Sequence, residues 1–82
     1  MSKVEIYTRP GCGYCTHAKR LLTSKGLDFI EYDVYKNSQH IVELKHRTVG
    51  RTYPQIFIEG ISVGGFTELL EKAQQGLLAN LT

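Results

Sequence analysis

The sequence has no long apolar segment, no internal repeat and no low-complexity tract, and these absences narrow what the chain can be. Its longest runs of consecutive apolar residues have three members, at 56–58 and 77–79, whereas a membrane-spanning helix needs about 20. No apolar stretch follows a basic start at the N-terminus, so we expect no secretory signal, no membrane partner and a cytoplasmic location. The 82 residues have room for one domain, spanning 1–82.

The chain also carries little net charge, although that charge is unevenly distributed. Ten lysine and arginine residues against eight acidic residues give a formal charge of +2, which is too small to indicate a nucleic-acid partner. Residues 1–27 nevertheless hold five basic groups and one acidic group. This basic excess surrounds the two cysteines of the chain.

The first half of the sequence predicts a βαβ unit. Residues 3–8 alternate in polarity and are rich in β-formers, which favours a strand. From 12 or 13 the pattern changes to a helical period that ends near Gly26. Residues 28–34 alternate again and predict a second strand. Because a helix connects them, the two strands are expected to be parallel.

The second half predicts a helix, a hairpin and a final helix. Ser38 is the predicted cap of a helix that ends near Gly50, and residues 55–63 predict a hairpin. Thr67 is predicted to head the final helix, after which three leucines, Leu77, Leu78 and Leu81, are expected to cover the sheet. The predicted class is α/β with the order βαβαββα.

Both cysteines fall in a Cys-Gly-Tyr-Cys motif at 12–15, where the first strand gives way to the first helix. The spacing brings the two sulfurs close enough for a short-loop disulfide. Unpaired N–H groups and the positive end of the helix dipole stabilise a thiolate on Cys12, with Arg9 and Lys19 as nearby cations. Cys12 is therefore the predicted nucleophile, and Cys15 is the predicted thiol that resolves mixed disulfides.

Two cysteines at this spacing could also form a structural disulfide, be inert thiols of the core or bind zinc. A structural bridge across four residues removes little unfolded-state entropy and would be reduced in a cytoplasm. Zinc needs four ligands, and the histidines that would complete the set, His17, His40 and His46, show no metal-binding spacing. We expect His40 and His46 to be surface residues.

The chain resembles the glutaredoxins over essentially all of its length. The resemblance rests on five sequence blocks, at 4–8, 12–15, 18–22, 54–58 and 64–66. It implies a thioredoxin-like fold, with a mixed four-stranded sheet of strand order 4-3-1-2 flanked by three helices. It also implies a dithiol enzyme that uses glutathione to reduce protein disulfides and glutathione mixed disulfides, with Cys12 as nucleophile.

The resemblance further implies a glutathione site around Cys12. A cis peptide before Pro54 would turn the backbone of Tyr53 towards Cys12, where it would pair with the cysteinyl unit of glutathione. Tyr14 would form a wall of the groove.

The two carboxylates of glutathione need separate partners. The resemblance implies that the γ-glutamyl carboxylate meets the start of the last helix at Gly65, Phe66 and Thr67. It implies that the glycine carboxylate meets Arg9 and Gln55.

The sequence departs from the commoner glutaredoxin pattern at Gly13, inside the cysteine motif, and at Thr67, at the start of the last helix. Gly13 stands where the Cys-Pro-Tyr-Cys motif has proline, and relatives without that proline can share a 2Fe-2S cluster between two subunits through the first cysteine, here Cys12. Thr67 stands where many relatives have aspartate, which removes a charge that would pair with the glutathione amine.

The resemblance also implies the partners of the reaction. Electrons would come from NADPH through glutathione reductase and glutathione, the clients would be disulfide-containing or glutathionylated proteins such as ribonucleotide reductase, and the chain would be monomeric unless a cluster bridges two copies. Two alternatives stay open at this point. One is a redoxin reduced by thioredoxin reductase, and the other is a glutathione-ligated iron–sulfur carrier.

Overall fold

The computed structural model describes residues 2–81, except for the side chain of Asn80, and has the predicted order of strands and helices. The strands are β1 (Val4–Thr8), β2 (Ile30–Asp33), β3 (Gln55–Ile58) and β4 (Ile61–Gly64). The helices are α1 (Gly13–Ser24), α2 (Gln39–Arg47) and α3 (Phe66–Gln74), and a short 3-10 helix follows at Ala79–Leu81. Within residues 2–81, no helix is long and apolar enough to cross a membrane.

The four strands form one mixed sheet in the order β2-β1-β3-β4, which confirms the predicted order. β1 pairs with β2 in parallel and with β3 antiparallel, and β3 pairs with β4 antiparallel. β1 is central, and all five of its residues are buried because helices cover both faces of the sheet. Its C-terminal end leads directly to the cysteine motif.

Each face of the sheet carries its own apolar cluster, since side chains alternate along a strand. One cluster packs under α1 and α3, and it contains Val4, Ile6, Ala18, Leu22, Leu27, Ile56, Leu69 and Leu78. The other packs under α2, and it contains Tyr7, Val34, Leu44 and Phe57. The expectation that Leu77 covers the sheet was wrong, because this side chain is 48% exposed while its neighbour Leu78 is buried.

Three predicted helix ends also differ in the structure. α2 ends at Arg47, before Gly50, and the Ser38 side chain makes no capping hydrogen bond because the backbone of Ser38 is already helical. Instead, the amide of Gln39 donates to Asn37 Oδ1 at 3.0 Å. α3 begins one residue earlier than predicted, so Thr67 lies inside its first turn and does not cap it.

A buried ion pair ties the end of α2 to the centre of the sheet. The Glu5 carboxylate accepts hydrogen bonds from Arg47 Nη2 at 2.9 Å and from Arg47 Nη1 and the Tyr32 hydroxyl at 3.0 and 2.9 Å. Arg47 also donates to the Tyr7 hydroxyl and lies over the ring of Phe57, 4.0 Å from its centroid. The hydrogen bonds from Arg47 hold the pKa of Glu5 below its usual range.

This lowered pKa predicts a specific sensitivity to acid. A carboxyl group with a lower pKa in the folded state stabilises the fold at pH above its unfolded value, and the contribution is lost as the pH falls through the folded value. Between about pH 5 and about pH 3, the free energy of unfolding of the wild type should therefore fall more steeply than that of Glu5→Gln. Urea denaturation across this range measures the slopes.

Glu71→Gln is the matched control, because Glu71 is exposed on α3 and its carboxylate has no ion-pair partner within residues 2–81. Its slope should equal that of the wild type. Parallel slopes for wild type and Glu5→Gln would contradict the assignment of acid sensitivity to Glu5.

Candidate active site

The two cysteines lie at the start of α1, directly after β1. Cys12 is the N-cap of α1, and its sulfur accepts a hydrogen bond from the Cys15 amide at 3.2 Å. The Cys12 thiol also faces the carbonyl oxygen of Tyr53, at 3.5 Å. Both cysteines are reduced, Cys12 is partly exposed and Cys15 is buried. The geometry thus presents one sulfur to a substrate and holds the other beneath it.

Cys15 is held as a protonated thiol. Burial, together with its hydrogen bond to Cys12, raises the pKa of Cys15 to about 12. A thiol with this pKa is a poor nucleophile at neutral pH until its surroundings change. This agrees with the predicted division of labour, in which Cys12 reacts first.

The loop before β3 forms one side of the site. The peptide bond between Tyr53 and Pro54 is cis, as the resemblance implied, and Pro54 is buried. The Arg9 guanidinium lies 5.8 Å from the centroid of the Tyr53 ring. Burial raises the pKa of the Tyr53 hydroxyl, which stays neutral at physiological pH. Arg9 and Tyr53 therefore stand together on the same side of Cys12.

An aromatic patch, made of Tyr14, His17 and Phe66, forms the other side. The rings of Tyr14 and Phe66 are stacked with their centroids 6.0 Å apart, and Tyr14 is 63% exposed. His17 contacts both rings, at 5.8 and 6.3 Å between centroids. The sequence analysis did not place His17 here, although its i+3 spacing from Tyr14 on a helix was a usable signal.

The start of α3 adjoins this patch. Gly65 is the N-cap in an extended conformation, and the N–H groups of Phe66 and Thr67 lie in the first turn, where no intrahelical acceptor is available. The Gly65 amide is already engaged, since it donates to Glu68 Oε1 at 2.7 Å. Sequence reasoning missed Glu68, although a glutamate three residues after an N-cap is the spacing of a capping box.

Gln55, expected to meet the glycine carboxylate together with Arg9, makes its side-chain contacts within the fold. Its side chain is buried, and its amide nitrogen donates to the Thr52 carbonyl oxygen at 2.7 Å and to Thr52 Oγ1 at 3.3 Å. Through these two hydrogen bonds, Gln55 fixes the loop that precedes β3 at Thr52. The amide donors of Gln55 are used within the fold, and we no longer assign them to a carboxylate.

Of the two histidines of α2 that were predicted to be surface residues, His46 is exposed, whereas His40 is only partly exposed. The His40 ring packs against Tyr32, with 4.8 Å between centroids, and Nδ1 lies 3.1 Å from Glu43 Oε2. This packing follows from the position of α2 over the sheet, which the sequence pattern did not resolve.

A cleft of about 400 Å³ opens behind the cysteines, between α1 and β2. Its lining includes both cysteines, Lys19 from α1 and Glu31 from β2. The Lys19 ammonium lies 3.0 Å from Glu31 Oε2, which also accepts the hydroxyl of Thr8 at 2.7 Å. Burial opposes the ionisation of Glu31, but the hydrogen bonds from Thr8 and Lys19 prevail and lower the pKa of this carboxyl.

The chain by itself offers little for a metal centre. Among residues 2–81, no group of three or more His, Cys, Asp or Glu side chains is arranged to hold a metal ion. Of the two thiols, only Cys12 is accessible, since Cys15 is buried. With one accessible thiol, the residues of 2–81 do not form a 2Fe-2S site on their own.

A Cys-x-x-Cys motif at the start of a helix, beside a cis-proline loop and within a βαβ unit, defines a thioredoxin-like redox protein. The family model "Glutaredoxin" matches residues 4–63. A glutaredoxin of Neisseria meningitidis serogroup A is 43% identical over 82 residues, covering 99% of this chain and 96% of that protein. Glutaredoxin 3 of Escherichia coli K12 is 44% identical over 69 residues, covering 84% and 83%.

Solved structures agree with the sequence comparison. The crystal structure of a buckwheat glutaredoxin–glutathione complex matches with a TM-score of 0.86 and 26% identity, over 98% of this chain and 76% of that one. The solution structure of a Brucella melitensis glutaredoxin matches with a TM-score of 0.79 and 43% identity, over 96% and 86%. The chain belongs to the glutaredoxin family, and this membership and the fold identify it as a thiol-disulfide oxidoreductase.

Proposed function

We propose that this protein uses glutathione to reduce protein disulfides and glutathione mixed disulfides, with Cys12 as the attacking thiolate. The observation that carries the proposal is the placement of Cys12 Sγ. It receives the Cys15 amide at the start of α1 and faces the Tyr53 carbonyl, while Cys15 is held protonated. A partly exposed sulfur that receives an N–H donor at the start of a helix suits a thiolate that attacks a substrate in the open groove.

The reaction divides into two exchanges that balance in atoms and electrons. The Cys12 thiolate attacks the glutathione sulfur of a glutathionylated protein, so that a Cys12–glutathione disulfide forms and the client leaves as a thiolate. A second glutathione thiolate then attacks the bound glutathione sulfur, which releases glutathione disulfide and restores the Cys12 thiolate. With a protein disulfide, Cys15 takes the resolving role and an internal disulfide forms.

The groove around Cys12 offers a separate partner for each part of glutathione. The backbone of Tyr53, whose carbonyl oxygen lies 3.5 Å from Cys12 Sγ, would pair with the cysteinyl unit, and Tyr14 and Phe66 would form the opposite wall. The free N–H groups at the start of α3, including that of Thr67, suit the γ-glutamyl carboxylate, and Arg9 suits the glycine carboxylate. The buckwheat relative was solved as a complex with glutathione, which supports glutathione as the ligand.

Glu68 supplies a negative charge close to Thr67, where the sequence lacks the aspartate of many relatives. Thr67 lacks the carboxylate that many relatives have there, but the Glu68 carboxylate folds back over the start of α3 and reaches the Gly65 amide. We propose that this carboxylate meets the amino group of the γ-glutamyl unit.

The same proposal includes the wider setting. Glutathione reductase would regenerate glutathione at the expense of NADPH, and disulfide-containing proteins, ribonucleotide reductase among them, would be the clients. The proposal also includes a cytoplasmic location, where thiols stay reduced, and a monomeric chain.

The experiment is a comparison of reductants. NADPH oxidation is followed with a glutathionylated peptide as substrate, with either glutathione plus glutathione reductase or thioredoxin reductase alone. We expect turnover only with the glutathione system, because the groove supplies complementary charges for glutathione. Turnover with thioredoxin reductase alone would contradict the proposal and support the redoxin alternative. Inactivity with both, together with a coloured dimer after anaerobic reconstitution with iron and sulfide, would support the carrier alternative.

A further inference from the structure

Lys19 stands where it can act on Cys15. The two residues are four apart on α1, a spacing that places side chains on the same face of a helix. Both line the cleft behind the cysteines. The Lys19 ammonium pairs with Glu31 Oε2 at 3.0 Å, and Glu31 Oε2 also accepts a hydrogen bond from the hydroxyl of Thr8.

Charged and titratable groups on α1, on the loop before β3 and on β2 surround the Cys15 thiol. On α1, Cys12 disfavours the Cys15 thiolate and Lys19 favours it, and a backbone hydrogen bond from Arg9 also favours it. The Tyr53 side chain interacts with Cys15 from the loop before β3. Glu31 and Asp33, from β2, line the cleft farther along. Lys19 is the side-chain cation that favours the Cys15 thiolate, with a smaller effect than burial or Cys12 has, and Arg9 also lines the cleft.

We propose that Lys19 supplies the positive charge that stabilises the Cys15 thiolate as it forms in the resolving step, and that Glu31 is the positioning residue that holds Lys19 there. The inference rests on the proposed function, since it concerns the step of that reaction in which Cys15 closes the internal disulfide. Without a nearby cation, a buried thiol pays the full electrostatic penalty of ionising in an apolar site.

Closure of the internal disulfide is a thiol–disulfide exchange between Cys15 and the Cys12–glutathione disulfide. The Cys15 thiol gives its proton to water in the cleft, and its sulfur attacks the Cys12 sulfur of the Cys12–glutathione disulfide. The bond between the Cys12 and Cys15 sulfurs forms and the bond from Cys12 to glutathione breaks. Glutathione leaves as a thiolate that takes a proton from water, so one disulfide replaces another and no further oxidant is required.

The test follows ring closure directly. Reduced protein is mixed with glutathione disulfide at neutral pH, quenched with acid at intervals and weighed by mass spectrometry, which separates the glutathione adduct from the internal disulfide. We expect Lys19→Gln to slow conversion of the adduct by about threefold for each unit by which it raises the pKa of the Cys15 thiol, because the smaller thiolate fraction is partly offset by the higher nucleophilicity of the more basic thiolate. Lys19→Arg, which keeps the charge, should react at about the wild-type rate.

Three further measurements distinguish an electrostatic effect of Lys19 on Cys15 from a general effect of the substitution on the fold. Arg20→Gln removes the same charge from the next residue, which is exposed and does not line the cleft, and should leave ring closure unchanged. In a Cys15→Ser background, where no ring closes, Lys19→Gln measures any separate effect of Lys19 on the Cys12 thiolate, and this loss of glutathione-dependent turnover should be smaller than the loss in the rate of ring closure. Glu31→Gln should slow ring closure less than Lys19→Gln does.

Three results would overturn the inference: ring closure at the wild-type rate in Lys19→Gln, equal slowing in Lys19→Arg, or equal slowing of adduct formation. Failure of the proposed function is recognised separately, because the wild type would then form no glutathione adduct. Ring closure from an adduct with 2-hydroxyethyl disulfide then tests Lys19 by the same measurement.

Discussion

Cys12→Ser is expected to lower glutathione-dependent turnover by about a thousandfold or more, the order of loss seen when an enzyme loses its nucleophile. A serine hydroxyl at the start of α1 receives the same N–H donor as the sulfur, but it does not ionise at neutral pH and forms no disulfide. Initial rates of NADPH oxidation in the coupled assay measure the loss.

Cys15→Ser is the matched variant, since it removes the other sulfur of the motif. It should keep turnover on glutathionylated substrates, because a second glutathione can release the product, and lose most activity on protein disulfides, which need an internal resolving thiol. Equal losses on glutathionylated substrates in the two variants would contradict the assignment of separate roles.

Arg47→Met is expected to destabilise the fold by about 3 kcal/mol, because the buried Glu5 carboxylate loses both hydrogen bonds from Arg47. It keeps the Tyr32 hydroxyl and the more distant Lys3 ammonium, at 3.9 Å. The guanidinium also lies over the Phe57 ring and bonds the Tyr7 hydroxyl, so its loss loosens the contact between α2 and the sheet. Urea denaturation measures the free energy of unfolding. A loss of this size is a large part of the stability of a domain this small.

Two further variants define the origin of the effect. Arg20→Met removes an exposed arginine from α1 and should change stability by about 0.5 kcal/mol or less. Adding Glu5→Gln to Arg47→Met removes the uncompensated charge and should recover part of the stability. If Arg47→Met were no less stable than Arg20→Met, the buried ion pair would not be what holds α2 on the sheet.

The parts of the fold that the sequence predicted are those set by local patterns. The alternation in β1 and the apolar stripe of α1 report burial directly, and Gly26 and Gly76, both with positive φ, lie just beyond the ends of α1 and α3. The cysteine motif was placed correctly at the start of α1 because strand and helix periodicities meet there.

The errors lie where tertiary contacts decide. Thr67 and Ser38 are suitable capping residues by type, but the backbone angles that make a residue a cap are set by the connecting loops. Gln55 is polar, and only the folded loop shows that Thr52 uses its amide donors. The contact between Lys19 and Glu31 depends on how α1 packs against β2, which no local pattern reports.

The most direct test of the account is the mass of the Cys15→Ser protein after incubation with glutathione disulfide. We predict a single glutathione adduct at Cys12 that added glutathione removes, because Cys12 is the accessible sulfur and no resolving thiol is left. Cys12→Ser protein, treated in the same way, should stay without an adduct. If Cys15→Ser formed no adduct, or if Cys12→Ser formed one as readily, Cys12 would not be the attacking group.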